Sequence, residues 1–116
     1  MTMNVEFAAS ASGRQPVLEW IRELPAEDRK MIGQDLRVLQ ENWPMAAPLC
    51  KAILARPGFY ELRSKTSRVK ALRIIFSVES GKFVLLNLFV KKQDAVPNSE
   101  IRLADRRLNE HMRQAA

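Results

Sequence analysis

The apolar pattern of this chain changes its period after Pro48, and this change constrains the fold more than any other feature. Before Pro48, apolar residues recur about every three to four positions, which is typical of helices with one buried face. After Pro48 they alternate with polar residues, which is typical of strands. A helical part followed by consecutive strands predicts an α+β domain.

The same pattern predicts each element in turn. A short strand lies around Val5, and two helices with almost no loop between them then form an antiparallel helical hairpin. Three antiparallel strands cover residues 59–63, 72–78 and 83–90, and a last helix starts within residues 97–99. We expect an N-terminal strand and helical hairpin packed on a twisted antiparallel sheet, with a C-terminal helix, in a single domain over residues 1–116.

The last two strands predict their own register. Ser80-Gly81 is a two-residue hairpin signal of type I′, which pairs Glu79 with Lys82 and, further along, Arg73 with Leu88. One face of the hairpin then meets the helices, and it carries Leu72, Ile74, Phe76, Val78, Phe83, Leu85 and Phe89. The opposite face is also apolar, so we expect the C-terminal helix or a partner to cover it in part. It carries Arg73, Ile75, Ser77, Val84, Leu86 and Leu88.

Positive charge is concentrated in one segment of the chain. The net charge is +6, but residues 51–92 hold ten lysines and arginines against two acids, which leaves +8 there and −2 elsewhere. Such a segment is typical of proteins that bind a polyanion. A solvated basic face is the alternative, and charge alone does not separate the two interpretations.

Several enzyme classes lack the residues that they need. The only histidine, His111, lies on a predicted helix and is more typical of a surface residue than of a catalyst, so a mechanism built on two histidines is excluded. No cluster has metal-ligand spacing and no glycine-rich phosphate loop occurs, so we expect neither metal nor cofactor. Cys50 has no histidine partner and is expected to be a small buried side chain.

The chain shows no signal for secretion or for a membrane. Residues 1–7 have neither a basic nor an apolar region of a signal peptide. The longest apolar stretch, residues 83–90, is too short to span a bilayer. A single cysteine permits no internal disulfide, which suits a reducing compartment. We therefore expect a cytoplasmic protein without a membrane partner.

Basic residues at strand positions supply the remaining chemistry. Arg63 ends one strand, Arg73 lies in the next, and Lys91-Lys92 follow the third, so an antiparallel sheet can bring them together. Arginine binds phosphate with two parallel hydrogen bonds, and a lysine whose pKa is lowered by neighbouring positive charge transfers protons. This set can cleave RNA through the ribose 2′-hydroxyl without a metal, whereas DNA lacks that group. The alternative is that strand-end cations are solvated or protect sheet edges.

Three motifs in this region resemble those of RelE/HigB-superfamily toxins. G-F-Y-E-L-R (residues 58–63), A-L-R-I-I-F (71–76) and L-L-N-L-F-V-K-K (85–92) are similar to the family's G-x-Y-E-L-R, Y-R-I-x-Y/F and L-L-H-x-F-x-K-K strands. Their order and spacing agree, and the similarity is greatest to the phage-derived HigB-like branch. The resemblance implies a RelE-like microbial ribonuclease fold with its helices on one side of a twisted antiparallel sheet.

The resemblance also implies a function and partners. It implies the toxin of a type II toxin–antitoxin pair, a metal-independent endoribonuclease that cleaves mRNA, commonly on the ribosome. The partner is a cognate antitoxin, often a helix-turn-helix protein, and DNA is bound only through that complex. Carried onto this chain, Arg63 and Arg73 hold the scissile phosphate, and Lys91 and Lys92 contribute phosphate contacts or proton transfer. The remaining RNA-binding candidates are Lys65, Arg68, Lys70, Tyr60 and Phe89, of which the two aromatic residues are equally well explained as core.

The chain departs from the family pattern at proton-transfer positions. Asn87 stands where the family has a strand-end histidine, Leu72 replaces an aromatic residue, and there is no tyrosine near the C-terminus. The general acid and base are therefore not identified by the resemblance. A relative that binds RNA, the ribosome or an antitoxin without cleavage is the alternative. A DNA-binding repressor is a third hypothesis, but the two helices show no helix-turn-helix pattern.

Overall fold

The computed structural model describes residues 3–45, 48–64 and 71–115, which form an α+β fold around a five-stranded sheet. The elements in chain order are β1 (Asn4–Phe7), α1 (Pro16–Glu23), α2 (Ala26–Asn42), β2 (Cys50–Ala52), β3 (Phe59–Ser64), β4 (Leu72–Glu79), β5 (Lys82–Val90) and α3 (Asn98–Ala115). The fold class and the order of the predicted elements are confirmed. The short strand β2 was not predicted.

The sheet is mixed, with strand order β1-β5-β4-β3-β2. The pairs β2–β3, β3–β4 and β4–β5 are antiparallel, as predicted for the last three strands. Strand β1 instead joins the edge parallel to β5. A parallel pairing needs a long crossover between its strands, and the chain from β1 to β5 contains two helices and three strands.

The two N-terminal helices begin and end at residues with a clear physical role. Helix α1 starts at Pro16, where the missing N–H of proline costs nothing. Pro25 lies at the N-cap of α2. Helix α2 buries Ile32 and Leu39 and ends at Asn42. No helix within residues 3–45, 48–64 and 71–115 is long and apolar enough to cross a membrane.

Helices cover both faces of the sheet. On one face, Val17, Ile32 and Leu39 of α1 and α2 pack in a cluster with the strands; we call this the helix-pair core. On the other face, α3 packs against the strands through Ile101, Ala104 and Leu108. The expectation from the hairpin pattern that the C-terminal helix covers this face is confirmed. The resemblance implied that the helices lie on one side of the sheet, and this prediction is wrong. Both faces of the sheet are apolar, so each must be buried.

The hairpin turn has the predicted geometry. Ser80 and Gly81 both have positive φ, 50° and 76°, as a type I′ turn requires. Glu79 pairs with Lys82, also as predicted. The turn therefore fixes the register of the last residues of β4 against the first residues of β5.

A β-bulge changes the register in the second half of the hairpin. The shift occurs between Ile75 and Phe76, so Arg73 pairs with Phe89 and the predicted pairing with Leu88 is wrong. One extra residue in β5 sends each later side chain to the opposite face. Leu88 therefore lies in the helix-pair core and Phe89 lies against α3, the reverse of the prediction.

Candidate active site

Three cationic side chains converge on one buried carboxylate, that of Glu61. Its Oε1 accepts hydrogen bonds from Arg73 Nε at 2.9 Å, from Arg63 Nε at 3.3 Å and from Lys91 Nζ at 3.3 Å. The Glu61 side chain is 3% exposed. We call these four residues the Glu61 cluster; its three positive charges exceed its one negative charge by two.

Three neighbouring strands position the cluster. Glu61 and Arg63 are two residues apart on β3, so their side chains lie on the same face of the sheet. Arg73 on β4 is directly opposite Arg63. Lys91 follows β5, and its backbone N–H donates to the carbonyl of Ala71 at 2.8 Å. The sheet register therefore brings together residues that are up to 30 positions apart.

The carboxylate explains how the cations tolerate one another. Like charges directly opposite on neighbouring strands destabilise a sheet, and Arg63 and Arg73 occupy such a pair. A buried carboxylate is also costly unless it is paired. Glu61 removes both problems by lying between the cations. The exposed fraction of the cationic side chains rises from 9% for Lys91 to 30% for Arg63, so Arg63 is the outermost of the three.

The cluster lines two clefts. One, of about 220 Å³, contains Glu61 and Lys91 beside residues 51–55 and the start of α3. The other, of about 390 Å³, contains Arg63 and Arg73 next to Asp35 of α2. A ligand can therefore approach the cluster from either side.

Lys92 does not join the cluster. It is exposed and lines a third cleft, with Trp20 and Val90. Within the described part of the chain, Lys92 makes no ion pair. The structure thus brings together three of the four predicted catalytic cations, and a role for Lys92 remains a prediction.

The two aromatic candidates lie in the core. The Tyr60 ring stacks on Phe76 at 5.5 Å and meets the edge of Trp43 at 4.9 Å. Phe89 is 5% exposed and packs on the side of α3. Tyr60 is partly buried, and Phe89 also contributes to the lining of the cleft that contains Lys92, so base stacking by either ring remains a prediction. The other predicted RNA-binding residues, Lys65, Arg68 and Lys70, lie outside the described residues.

Asn87, at the position of the family's histidine, links α3 to β5. Its side chain is buried, and its amide nitrogen donates to the Glu100 carboxylate. Arg107 Nη1 donates to Asn87 Oδ1 and to the Leu86 carbonyl, each at 3.1 Å. Burial lowers the pKa of Arg107 from its ordinary value. Because an amide does not titrate and this one is hydrogen-bonded on both sides, Asn87 is a structural residue.

His111 also has a structural position, and it is more buried than we expected of a surface residue. Its side chain is 12% exposed; Nδ1 accepts a hydrogen bond from the Ala9 N–H at 3.0 Å, and Nε2 lies 3.1 Å from Glu6 Oε2. These contacts attach α3 to the segment around β1.

Cys50 is buried, as expected, and its thiol is poorly ionised. Burial, followed by the nearby negative charge of Glu61, raises the pKa of Cys50 to about 11. A thiol is a weak nucleophile, since the thiolate is the reactive form. In the described residues, no group of three or more His, Cys, Asp or Glu side chains is placed to hold a metal ion.

Sequence reasoning missed the central residue of the site. Glu61 was quoted within a motif but received no role. Two features could have identified it. It is one of only two acids in the +8 segment, and it shares a strand face with Arg63. An acid on a largely buried strand requires cationic partners, and this segment supplies them.

The family model described as "Phage derived protein Gp49-like (DUF891)" matches residues 19–109, which include the whole Glu61 cluster. A search of curated proteins found no match. The family is associated with RelE/HigB-like toxins of toxin–antitoxin systems. Because the match covers most of the chain, the protein belongs to the Gp49-like family of phage-derived proteins.

Proposed function

We propose that this protein is the toxin of a type II toxin–antitoxin pair and acts as a metal-independent endoribonuclease on mRNA, on the ribosome. The observation that carries the proposal is the convergence of three cations from three strands on Glu61, beside two open clefts. The association of the family with toxins supports it.

The reaction is transesterification within the RNA. The ribose 2′-oxygen attacks the neighbouring phosphorus, and the bond from phosphorus to the 5′-oxygen breaks. The products are a 2′,3′-cyclic phosphate and a 5′-hydroxyl end. The reaction needs stabilisation of charge on the phosphate, a proton acceptor for the 2′-hydroxyl and a proton donor for the 5′-oxygen.

The Glu61 cluster contains a group for each of these tasks. Arg63 and Arg73 bind the non-bridging phosphate oxygens, since guanidinium matches phosphate geometry and remains charged. Glu61 accepts the 2′-proton, and the Lys91 ammonium donates a proton to the 5′-oxygen. These two groups are 3.3 Å apart, so a proton can return from Glu61 to Lys91 after the reaction. Lys92 contacts the RNA backbone outside the cluster.

The proposed partner is an antitoxin that covers the basic surface. Residues 51–92 carry the net charge of +8, so an acidic segment of a partner competes with RNA for the same surface. In this proposal the antitoxin is a helix-turn-helix protein, and the toxin approaches DNA only within their complex.

The test is induced expression in bacteria, with growth and primer extension on cellular mRNA as readouts. The variants are Arg73→Ala and Lys91→Ala. The control is Lys82→Ala, which removes a cation from another lysine–glutamate ion pair on the same sheet, at the turn end of the hairpin. We expect growth arrest and new mRNA ends with the wild type and with Lys82→Ala. Each cluster variant should lower the cleavage rate about 10²- to 10³-fold, as loss of one stabilising group typically does.

One outcome would sink the proposal. If folded wild-type protein leaves growth normal and mRNA intact, the protein is not a ribonuclease toxin. The better account is then a binding module that uses the same cations to hold RNA or a partner without cleavage.

A further inference from the structure

A cleft of about 580 Å³ at the end of β5 lies next to the Glu61 cluster but outside it. Trp20, Val90, Lys92 and Pro97 contribute to its lining. Trp20 is 39% exposed and Val90 is 40% exposed, which is high for large apolar side chains. The fold therefore leaves an aromatic surface open beside the proposed reaction site.

The cleft exists because β1 is shorter than β5. Strand β1 pairs with β5 from Lys82 to Leu85 and ends at Phe7. Beyond Leu85, on the side of β1, the described chain adds no further strand to β5. The end of β5 lies instead near Trp20 of α1.

The cleft lining holds one cation and one carboxylate, which differ in their partners. The Glu100 carboxylate also lines the cleft, but it accepts a hydrogen bond from Asn87 and lies near Arg107. Lys92, by contrast, forms no ion pair with any described residue. The cleft thus offers an aromatic face and an unneutralised cation. This combination suits an unpaired nucleobase with its adjacent phosphate.

We propose that this cleft is a nucleotide subsite, in which an unpaired base stacks on the Trp20 indole and Lys92 binds the neighbouring phosphate. The inference rests on the proposed function, since it extends the RNA path away from the scissile phosphate. Lys91 and Lys92 are consecutive, so their Cα atoms are about 3.8 Å apart, yet their side chains line different clefts. Since Lys91 belongs to the Glu61 cluster and Lys92 lines the cleft, one bound RNA can contact both.

The two tryptophans of the chain allow a direct test. Trp43 lies among Tyr60, Phe76 and Phe83 and serves as an internal reference for Trp20. The probe is a single-stranded, 2′-O-methylated RNA of about ten nucleotides, which cannot be cleaved through the 2′-hydroxyl. Tryptophan emission reports stacking, and fluorescence anisotropy of a labelled probe reports affinity.

We expect the probe to quench wild-type emission. In Trp20→Phe, only Trp43 emits, so quenching should disappear while affinity stays close to that of the wild type. Trp20→Ala should weaken binding about 5- to 150-fold, the range for loss of one stacked base. Because Trp20 is partly exposed, thermal unfolding of this variant serves to confirm that it folds. Lys92→Ala should lower the salt dependence of binding by about one phosphate contact.

The same titrations separate the two proposals. If folded Trp20→Ala binds the probe as well as the wild type while Arg73→Ala does not, the subsite is wrong and the proposed function stands. If the wild type binds no RNA, the subsite is wrong, and the expression test alone decides the proposed function. If Trp20 emission responds only to a purified antitoxin and not to RNA, the cleft is a protein interface, which overturns the nucleotide subsite.

Discussion

Each end of the β4–β5 hairpin has a carboxylate that pairs with cationic side chains, but one carboxylate is exposed and the other is buried. At the turn end, Glu6 contacts Lys82 at 3.0 Å and His111 at 3.1 Å, and its side chain is 38% exposed. At the open end, Glu61 contacts three cations and its side chain is 3% exposed. Each end thus has one carboxylate that bridges side chains from different elements. The ends differ in hydration and in charge balance.

This difference shows which end is suited to bind an anion. Water screens the Glu6 contacts, so such pairs contribute about 1 kcal/mol or less and leave little excess charge. The Glu61 carboxylate is shielded from water, and its cluster keeps two more positive than negative charges. A purely structural ion pair needs no such excess. A phosphodiester that enters the cluster carries one negative charge and would offset half of this excess.

Replacement of Glu61 by alanine should have the largest effect. The change leaves three partly buried cations without their carboxylate, and loss of one partner of a buried pair typically costs about 3 to 5 kcal/mol. Urea unfolding measures this free energy. Glu6→Ala is the matched control at the turn end and should cost about 1 kcal/mol or less. Equal losses in the two variants would contradict the distinction between the ends.

The Cys50 thiol should report the electrostatics of the open end with a smaller effect. Its pKa of about 11, against an ordinary 9.0, corresponds to about 100-fold less thiolate near pH 8. The rate of reaction with an aromatic disulfide reagent should therefore be at least that much lower in native protein than in urea. Glu61→Gln should raise the native rate, because Glu61 is the second cause of the shift after burial. Similar native and unfolded rates would refute this assignment.

Local sequence patterns were sufficient to predict the strands and the turn. The alternation along β3, β4 and β5 reflects side chains that point to opposite faces, and Ser80-Gly81 specifies a tight hairpin within two residues. These features depend on neighbours in the chain, so one sequence reveals them. The same reasoning predicted that Arg63, Arg73 and Lys91-Lys92 could meet, and strand register brings all but Lys92 together.

Features that depend on tertiary context were not predictable in this way. Strand β2 has only three residues, too few for a period. The bulge near Phe76 has no signal in the residue types of β5. It nevertheless places Leu88 and Phe89 on the faces opposite to those predicted. The charge of the segment and the neighbouring Arg63 point to a paired Glu61, but its partners on β4 and beyond β5 depend on the sheet register.

At the turn end, backbone geometry should contribute more to the free energy of unfolding than charge does. Gly81 has a φ of 76°, where alanine is disfavoured, while a Cβ added there meets no atom within 4 Å. Gly81→Ala should therefore lower the free energy of unfolding by about 1 to 2 kcal/mol through backbone strain alone. Gly33→Ala is the matched control, since that helical glycine also has open space, and it should stabilise by up to about 1 kcal/mol. A neutral Gly81→Ala would mean that the turn relaxes.

The smallest expected effect is that of Glu6→Gln. The hydrogen bond from Lys82, and then that from His111, lower the pKa of Glu6. A lowered carboxyl pKa stabilises the fold above the unfolded-state pKa, and this contribution is lost as pH falls through the lower native value. The wild type should therefore exceed Glu6→Gln in unfolding free energy by about 1 kcal/mol or less near pH 7. Unfolding in urea between about pH 7 and pH 3 measures whether this difference disappears in acid. A difference in unfolding free energy that persists at low pH would mean that Glu6 stabilises the fold through packing. Glu6 would then act as a buried side chain, like Glu61, despite its exposure.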